Sequence, residues 1–205
     1  MLPKEVNMKF LYHTSDGRMM NVPTDRVYNG MQQGVILRLL KPVDGTLMNC
    51  EQEVMLGPSK KAMMAFSEDF GLFAYFLLDP GAMELKIFNI EDNSPFTLMN
   101  KIKNNHSIDV LFENRLTQDD LRFIKTIKFD AQNRFLLGFG DVKIFIFNVD
   151  TFEHKFYTID GLYFERILDI QMRSESGLTY QIQVACKRVG LKQIQIFDIL
   201  EFERI

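Results

Sequence analysis

A short phrase recurs three times along this chain and constrains its fold more than any other feature. Leu85-Lys86-Ile87-Phe88-Asn89-Ile90, Phe145-Ile146-Phe147-Asn148-Val149 and Gln195-Ile196-Phe197-Asp198-Ile199 each close an alternating run with Ile-Phe, then Asn or Asp, then Ile or Val. The three phenylalanines lie 59 and then 50 residues apart. Self-similarity at a period near 40–50 residues marks a supersecondary unit that is copied and stacked. The period within each copy is two, the alternation of a strand with one face buried.

The stretch 61–102 shows one copy in full. Residues 62–66 read as a strand and 67–71 as a turn. Residues 72–78 read as a nearly all-apolar strand of the kind that is buried on both faces. Asp79-Pro80-Gly81 is a turn, because Pro presets one φ and Gly supplies a positive one. Residues 83–90 form the third strand, with Leu85 and Ile87 on one face and Lys86, Phe88 and Ile90 on the other. After a loop at 91–95, residues 96–102 read as a fourth strand.

The layout returns with strands at 123–129, 135–140, 142–149 and 155–159 and turns at 130–134 and Asp141. It returns again with strands at 166–172, 179–185 and 193–199 and a short fourth at 201–205. The first sixty residues carry a degenerate copy: a hairpin through Ser15-Asp16-Gly17, then strands at 34–40 and 47–55. The expected units therefore cover 8–56, 60–102, 122–161 and 165–205, with an insertion at 103–121.

This layout resembles a WD-repeat-like β-propeller. The resemblance rests on the turn Phe66-Ser67-Glu68-Asp69-Phe70-Gly71, which is similar to the family's Ser-x-Asp-Gly turn. It rests also on Phe88-Asn89, Phe147-Asn148 and Phe197-Asp198 at the place of the Trp-Asp dipeptide. It covers 60–205 well and the N-terminal part poorly. The chain has no Trp, and none of His13, His106 and His154 stands at the family's histidine position. The resemblance implies an all-β chain of four-stranded, propeller-like blades, three clear and one degenerate, forming an incomplete ring. A blade cannot hide both faces alone. The chain is then a segment of a longer propeller, a partner of a chain that supplies further blades, or a small four-bladed ring. The last would invite a Cys50–Cys186 link. A β-sandwich is the alternative outside the family.

The residues exclude several functions. Formal net charge is -3 and no long Lys/Arg block occurs, so the electrostatic footprint of nucleic-acid binding is missing. No stretch approaches 18 apolar residues, and the first residues lack the apolar core of a signal peptide. The two cysteines, Cys50 and Cys186, are read as small buried hydrophobes in a reducing compartment. Three scattered histidines and two cysteines have no metal-ligand spacing, and no cofactor is expected. Gly138-Phe139-Gly140-Asp141 sits in a hairpin with no following helix, so it reads as a strand glycine and a turn glycine rather than a phosphate cradle. Asp119 and Asp120, in a sequence resembling a capping box, read as helix-start residues rather than an acid–base pair.

The expected function is a non-enzymatic scaffold that binds other proteins, as a subunit or segment of a large complex. Leu111, Phe112, Leu116, Asp119 and Asp120 in the insertion are the candidate partner-binding residues, since insertions in repeat folds map to loops and loops carry function. The Asn-, Lys- and Phe-rich flavour suggests a eukaryote with an AT-biased genome, and hence a cytoplasmic, ciliary or cytoskeletal setting. A small-ligand or carbohydrate-binding propeller is the other class, with Asn89, Asn148 and Asp198 recurring at one register.

Overall fold

The computed structural model describes residues 8–14, 17–23, 34–44, 47–57, 62–79, 82–106, 108–110, 123–159, 164–174, 179–188 and 194–203. The chain divides into two compact units, Met1–Phe112 and Glu113–Ile205.

In the first unit, β1 (Met8–His13), β2 (Met19–Pro23), β3 (Val35–Asp44) and β4 (Leu47–Gly57) form one antiparallel sheet in chain order. A second sheet is built from β5 (Ala62–Phe66), β6 (Leu72–Asp79), β7 (Ala82–Asn89) and β8 (Ile108–Val110), with the helix α1 (Pro95–Lys103) between its last two strands. Alternation places Leu37 and Leu39 of the first sheet, and Phe73, Tyr75 and Phe88 of the second, in one core with Leu98 and Met99 of the helix. The aromatic rings run as a chain. Tyr12 lies 4.7 Å from Phe70, Phe66 lies 4.6 Å from Phe73, and Phe73 lies 6.0 Å from Phe88. The Tyr75 hydroxyl donates to the Leu56 carbonyl at 3.3 Å, which satisfies its polar end inside the core. The apolar reading of 72–78 is matched by Phe73, Ala74, Tyr75, Phe76 and Leu77, all buried on both faces of β6.

The second unit holds β9 (Thr126–Phe129), β10 (Phe135–Phe139), β11 (Lys143–Asn148) and β12 (His154–Thr158) in one sheet. A three-stranded sheet follows, of β13 (Phe164–Ser174), β14 (Thr179–Arg188) and β15 (Ile194–Glu203). Phe135, Leu137, Ile144 and Ile146 of the former pack against Ile170, Ile182, Val184 and Cys186 of the latter.

Three sequence expectations are overturned. Residues 96–102 are helical, not a strand. Pro95 stands at the helix start, where its missing N–H costs nothing, and Pro95, Leu98, Met99 and Ile102 form a buried stripe at helical spacing. The fourth strand of that sheet is instead β8, within the stretch expected to be an insertion, pairing through Leu85↔Val110 and Ile87↔Ile108. The separate strands expected at 193–199 and 201–205 are one strand. A register shift between Ile182 and Gln183 absorbs a residue where the break was expected, and pairing continues to Thr179↔Glu203.

The phrase that ends β7 and β11 takes the same pairing in both. Asn89 pairs with Leu72 and Phe88 with Phe73; Asn148 pairs with Phe135 and Phe147 with Leu136. In each sheet the middle strand begins where the phrase ends. Phe197 also faces the middle strand, opposite Val184, but Asp198 there sits inside a strand rather than at its end.

The turns before the middle strands are equivalent too. In 67–72 the Ser67 amide donates to the Leu72 carbonyl at 3.0 Å, and the Phe70 amide donates to the Ser67 carbonyl at 3.0 Å. In 130–135 the Asp130 amide donates to Phe135 and the Asn133 amide to Asp130, each at 3.0 Å. The first side chain locks both turns: Ser67 Oγ accepts the Leu72 amide at 2.8 Å, and Asp130 Oδ1 accepts the Phe135 amide at 2.7 Å. The fourth residue of each is left-handed, Phe70 at φ 59° and Asn133 at φ 59°. Asn tolerates that conformation, whereas Phe70 holds it while buried against Tyr12 and Phe66.

Asp130→Ala is therefore expected to lower stability by about 1–3 kcal/mol, because the buried Phe135 amide loses its side-chain acceptor. Asp130→Ser, which borrows the residue of the other turn, recovers most of that loss. Urea unfolding of both variants checks this. An Ala variant as stable as the parent would show that the carboxylate does not hold the turn.

Candidate interaction surface

The locked turns define one end of the second and third sheets. In each, the strand bearing the phrase is hooked to the preceding turn: the Ile90 amide donates to the Gly71 carbonyl at 2.7 Å, and the Val149 amide to the Arg134 carbonyl at 2.9 Å. Two loops therefore stand side by side at the same end of both sheets, fixed by backbone hydrogen bonds.

In the second sheet that end is acidic. Glu68, Asp69, Glu91 and Asp92 are exposed there. Asp69 accepts the Ser67 hydroxyl at 2.6 Å and the Gly71 amide at 2.9 Å, so it shapes the turn. Asp92 accepts the Thr97 hydroxyl at 2.6 Å and the Ser94 amide at 3.1 Å, so it shapes the helix start. The Thr97 hydroxyl, aided by the Ser94 amide, holds the Asp92 carboxyl below its ordinary pKa. Lys101 reaches the Asn89 carbonyl at 2.8 Å and Glu91 at 3.4 Å.

In the third sheet the corresponding loops expose Arg134, Asp150, Thr151, Phe152 and Glu153. Asn148 Oδ1 accepts the Asp150 amide at 2.9 Å and the Thr151 amide at 3.1 Å, while the Phe152 amide donates to the Asn148 carbonyl at 2.9 Å. Phe152 is 46% exposed and left-handed at φ 62°. Its ring lies 6.3 Å from Phe147; nearby on the same sheet Phe145, Phe156 and His154 pack in tilted and edge-on contacts at 5.1–6.2 Å, and burial lowers the His154 pKa.

The sequence-derived candidates fall differently. Leu111, Phe112, Leu116, Asp119 and Asp120 lie outside the described residues. Asn148 is a turn former, its side-chain oxygen engaged by two amides. Asn89 is exposed, and the Asp198 side chain lies outside the described residues. Cys186 is buried as expected, whereas Cys50 is exposed, because it lies on a part of β4 that reaches beyond the sheet core. Gly138 lies in β10 and Gly140 at its turn, as read. The acidic loop end was legible only as two turns, since nothing in the sequence places 68–69 beside 91–92.

Among the described residues no group of three or more His, Cys, Asp or Glu could hold a metal ion. Among the same residues no helix is long and apolar enough to cross a membrane.

No family model matches the chain, and no curated protein matches it. Solved structures do. The complex of KlAtg21 with the coiled coil of AgAtg16 matches at TM-score 0.50 and 13% identity, over 94% of this chain and 56% of that one. TolB from Acinetobacter baumannii matches at TM-score 0.49 and 10% identity, over 95% and 45%. The WD40 domain of SCAP from fission yeast matches at TM-score 0.36 and 15% identity, over 69% and 33%. The chain spans little more than half the length of the first of these. Identities this low speak to fold, and the fold is that of propeller-like blades: three four-stranded antiparallel sheets and one three-stranded sheet, each built from strands in chain order.

Proposed function

We propose that the chain is a WD-repeat-like scaffold without enzymatic activity, which binds other proteins through the loop-bearing ends of its sheets as a subunit or segment of a larger assembly. The observation that carries this reading is the repeated turn frame. Two sheets fix the first turn and its hook to the phrase by the same hydrogen bonds, and leave Glu68, Asp69, Glu91 and Asp92 of one, and Arg134, Asp150 and Glu153 of the other, in solvent. Rigid loops bind at a lower entropic cost than mobile ones. The acidic end of the second sheet suits a segment rich in Lys or Arg. The KlAtg21 structure, caught with a coiled coil of another protein, offers an analogy for a protein partner. The ciliary or cytoskeletal setting rests on composition alone.

The small-ligand reading needs Asn89, Asn148 and Asp198 to converge on a bound molecule. The use of Asn148 within its own turn favours the scaffold over it. The test is quantitative affinity capture with the full chain and with a Glu68→Lys/Asp150→Lys/Glu153→Lys variant, which spares the carboxylates that shape the turns. The variant is expected to lose a defined set of the parent's partners. Identical partner sets would refute binding through these loops.

A further inference from the structure

The β3–β4 ribbon outgrows its own sheet. Pairing between β3 and β4 runs from Val35↔Gly57 to Asp44↔Leu47, whereas β2 pairs with β3 only at Arg38, Leu39 and Leu40. Residues 41–44 and 48–50 are all exposed. A two-stranded ribbon has little stability of its own in water.

The two faces of this sheet differ. Val35, Leu37 and Leu39 point into the core, which leaves Ile36, Arg38 and Leu40 on the opposite face with their partners Met55, Glu53 and Cys50, and Pro42 with Met48 beyond them; Ile36, and Asn21 of β2 beside Arg38, are buried, so the exposed part of this face lies on the β3–β4 ribbon. Met48 is 39% and Met55 37% exposed, and Val43 at the tip is 66% exposed. Three of the five large exposed hydrophobics among the described residues thus belong to one ribbon. At the middle of the face sits one ion pair, Arg38 Nε to Glu53 Oε2 at 2.5 Å, its side chains 37% and 28% exposed. Glu51 is paired at the rim with Arg18 at 2.7 Å and with Lys41 at 3.9 Å. The third sheet contrasts with this one: all five residues of β10 are buried, so a sheet of this chain can be covered on both faces.

We propose that this face of the first sheet is a self-association surface, covered in solution by the same face of a second copy related by a two-fold axis. The charges choose the occupant. The patch carries one cation and one anion side by side at its centre, with apolar residues flanking them. A two-fold axis places Arg38 of each copy against Glu53 of the other, and the flanking Leu40, Met48 and Met55 against their counterparts. An isologous interface requires this self-complementarity, and like-charge juxtaposition would penalise any register that breaks it. Pro42 on β3 cannot donate to a strand added beside the part of β3 that β2 leaves uncovered, so edge pairing is disfavoured at the tip of the ribbon, where the apolar face is. This association is independent of the loop surface above.

Light scattering and sedimentation of the full chain up to about 100 μM, well above the micromolar weak end for an interface of ordinary size, give the test. The parent is expected to dimerise. Arg38→Glu should weaken the dimer by about tenfold or more, since four carboxylates would then meet at the axis. The double swap Arg38→Glu/Glu53→Arg should bring it back to within about threefold of the parent, because the pairing is restored with its sign inverted. Circular dichroism confirms that each variant is folded. A bismaleimide crosslinker should join two copies through Cys50, and Cys50→Ser should abolish the product, since Cys186 is buried. A parent that stays monomeric throughout, a dimer indifferent to Arg38→Glu and Met55→Asp, or a double swap that fails to recover would each overturn the proposal.

Discussion

Replacing Phe88 or Phe147 by Ala is expected to destabilise the unit that contains it by about 3–5 kcal/mol, the usual cost of emptying a buried phenylalanine site. The rings are 1% and 0% exposed. Each stands one residue before the strand end, across from a middle strand buried on both faces, so there is little slack for collapse into the void. Phe88 also lies within 6.0 Å of both Phe73 and Tyr75, so its loss removes two ring contacts beyond the area term. Phe152→Ala serves as the comparison. That ring is 46% exposed and touches Phe147 only at 6.3 Å, and its removal should cost about 1 kcal/mol or less. Urea unfolding followed by aromatic circular dichroism would measure all three. A cost below about 1 kcal/mol for either buried ring would mean that the repeated phrase does not anchor its sheet.

The second large effect is expected at Gly140. A Cβ built there would lie 2.0 Å from the Phe123 carbonyl oxygen and 3.0 Å from its carbonyl carbon. Both are backbone atoms, and the two segments are tied together beside this point by the Lys125 amide donating to the Phe139 carbonyl at 2.8 Å. The approach cannot be relieved by a rotamer change, so Gly140→Ala should cost about 3 kcal/mol, at the upper end for overpacking. At Gly57 the nearest atom to an added Cβ is the far end of Leu77, at 2.6 Å, and that methyl can swing away. Gly57→Ala should therefore cost less than half as much. Thermal unfolding of the two variants decides the matter. Equal midpoints would show that backbone proximity at 140 is not what excludes a side chain.

Period-two alternation made most strands readable, together with the turns at 67–71 and 130–134, because those features depend on neighbours in sequence. The helix was hidden by a coincidence of patterns. Phe96, Leu98 and Ile102 fit an alternating run loosely, and the stripe Pro95, Leu98, Met99 and Ile102 fits a helix better once the Pro after Ser94 is taken as a helix start. Asp198 misled for another reason. It repeats Asn89 and Asn148 in sequence, and β7 and β11 end at those two residues, Asn148 with its side chain engaged by the Asp150 and Thr151 amides. Beside Asp198 the register shifts and the strand runs on to Glu203. The ribbon face and the acidic loop end were not legible, since each depends on pairing between segments whose register alternation alone does not fix.

The equivalent hairpins of the two units differ in where they admit length. Leu72 and Phe88 are 16 positions apart, while their counterparts Phe135 and Phe147 are 12 apart. The side-chain-locked turns at 67–72 and 130–135 each hold six residues. One pole of these sheets therefore behaves as a ruler and the opposite pole as a telescoping tip. Insertions and deletions should be absorbed at the tip between the second and third strands, where a longer ladder is neutral, and rejected at the pole where a Ser or Asp side chain must reach an amide five residues on.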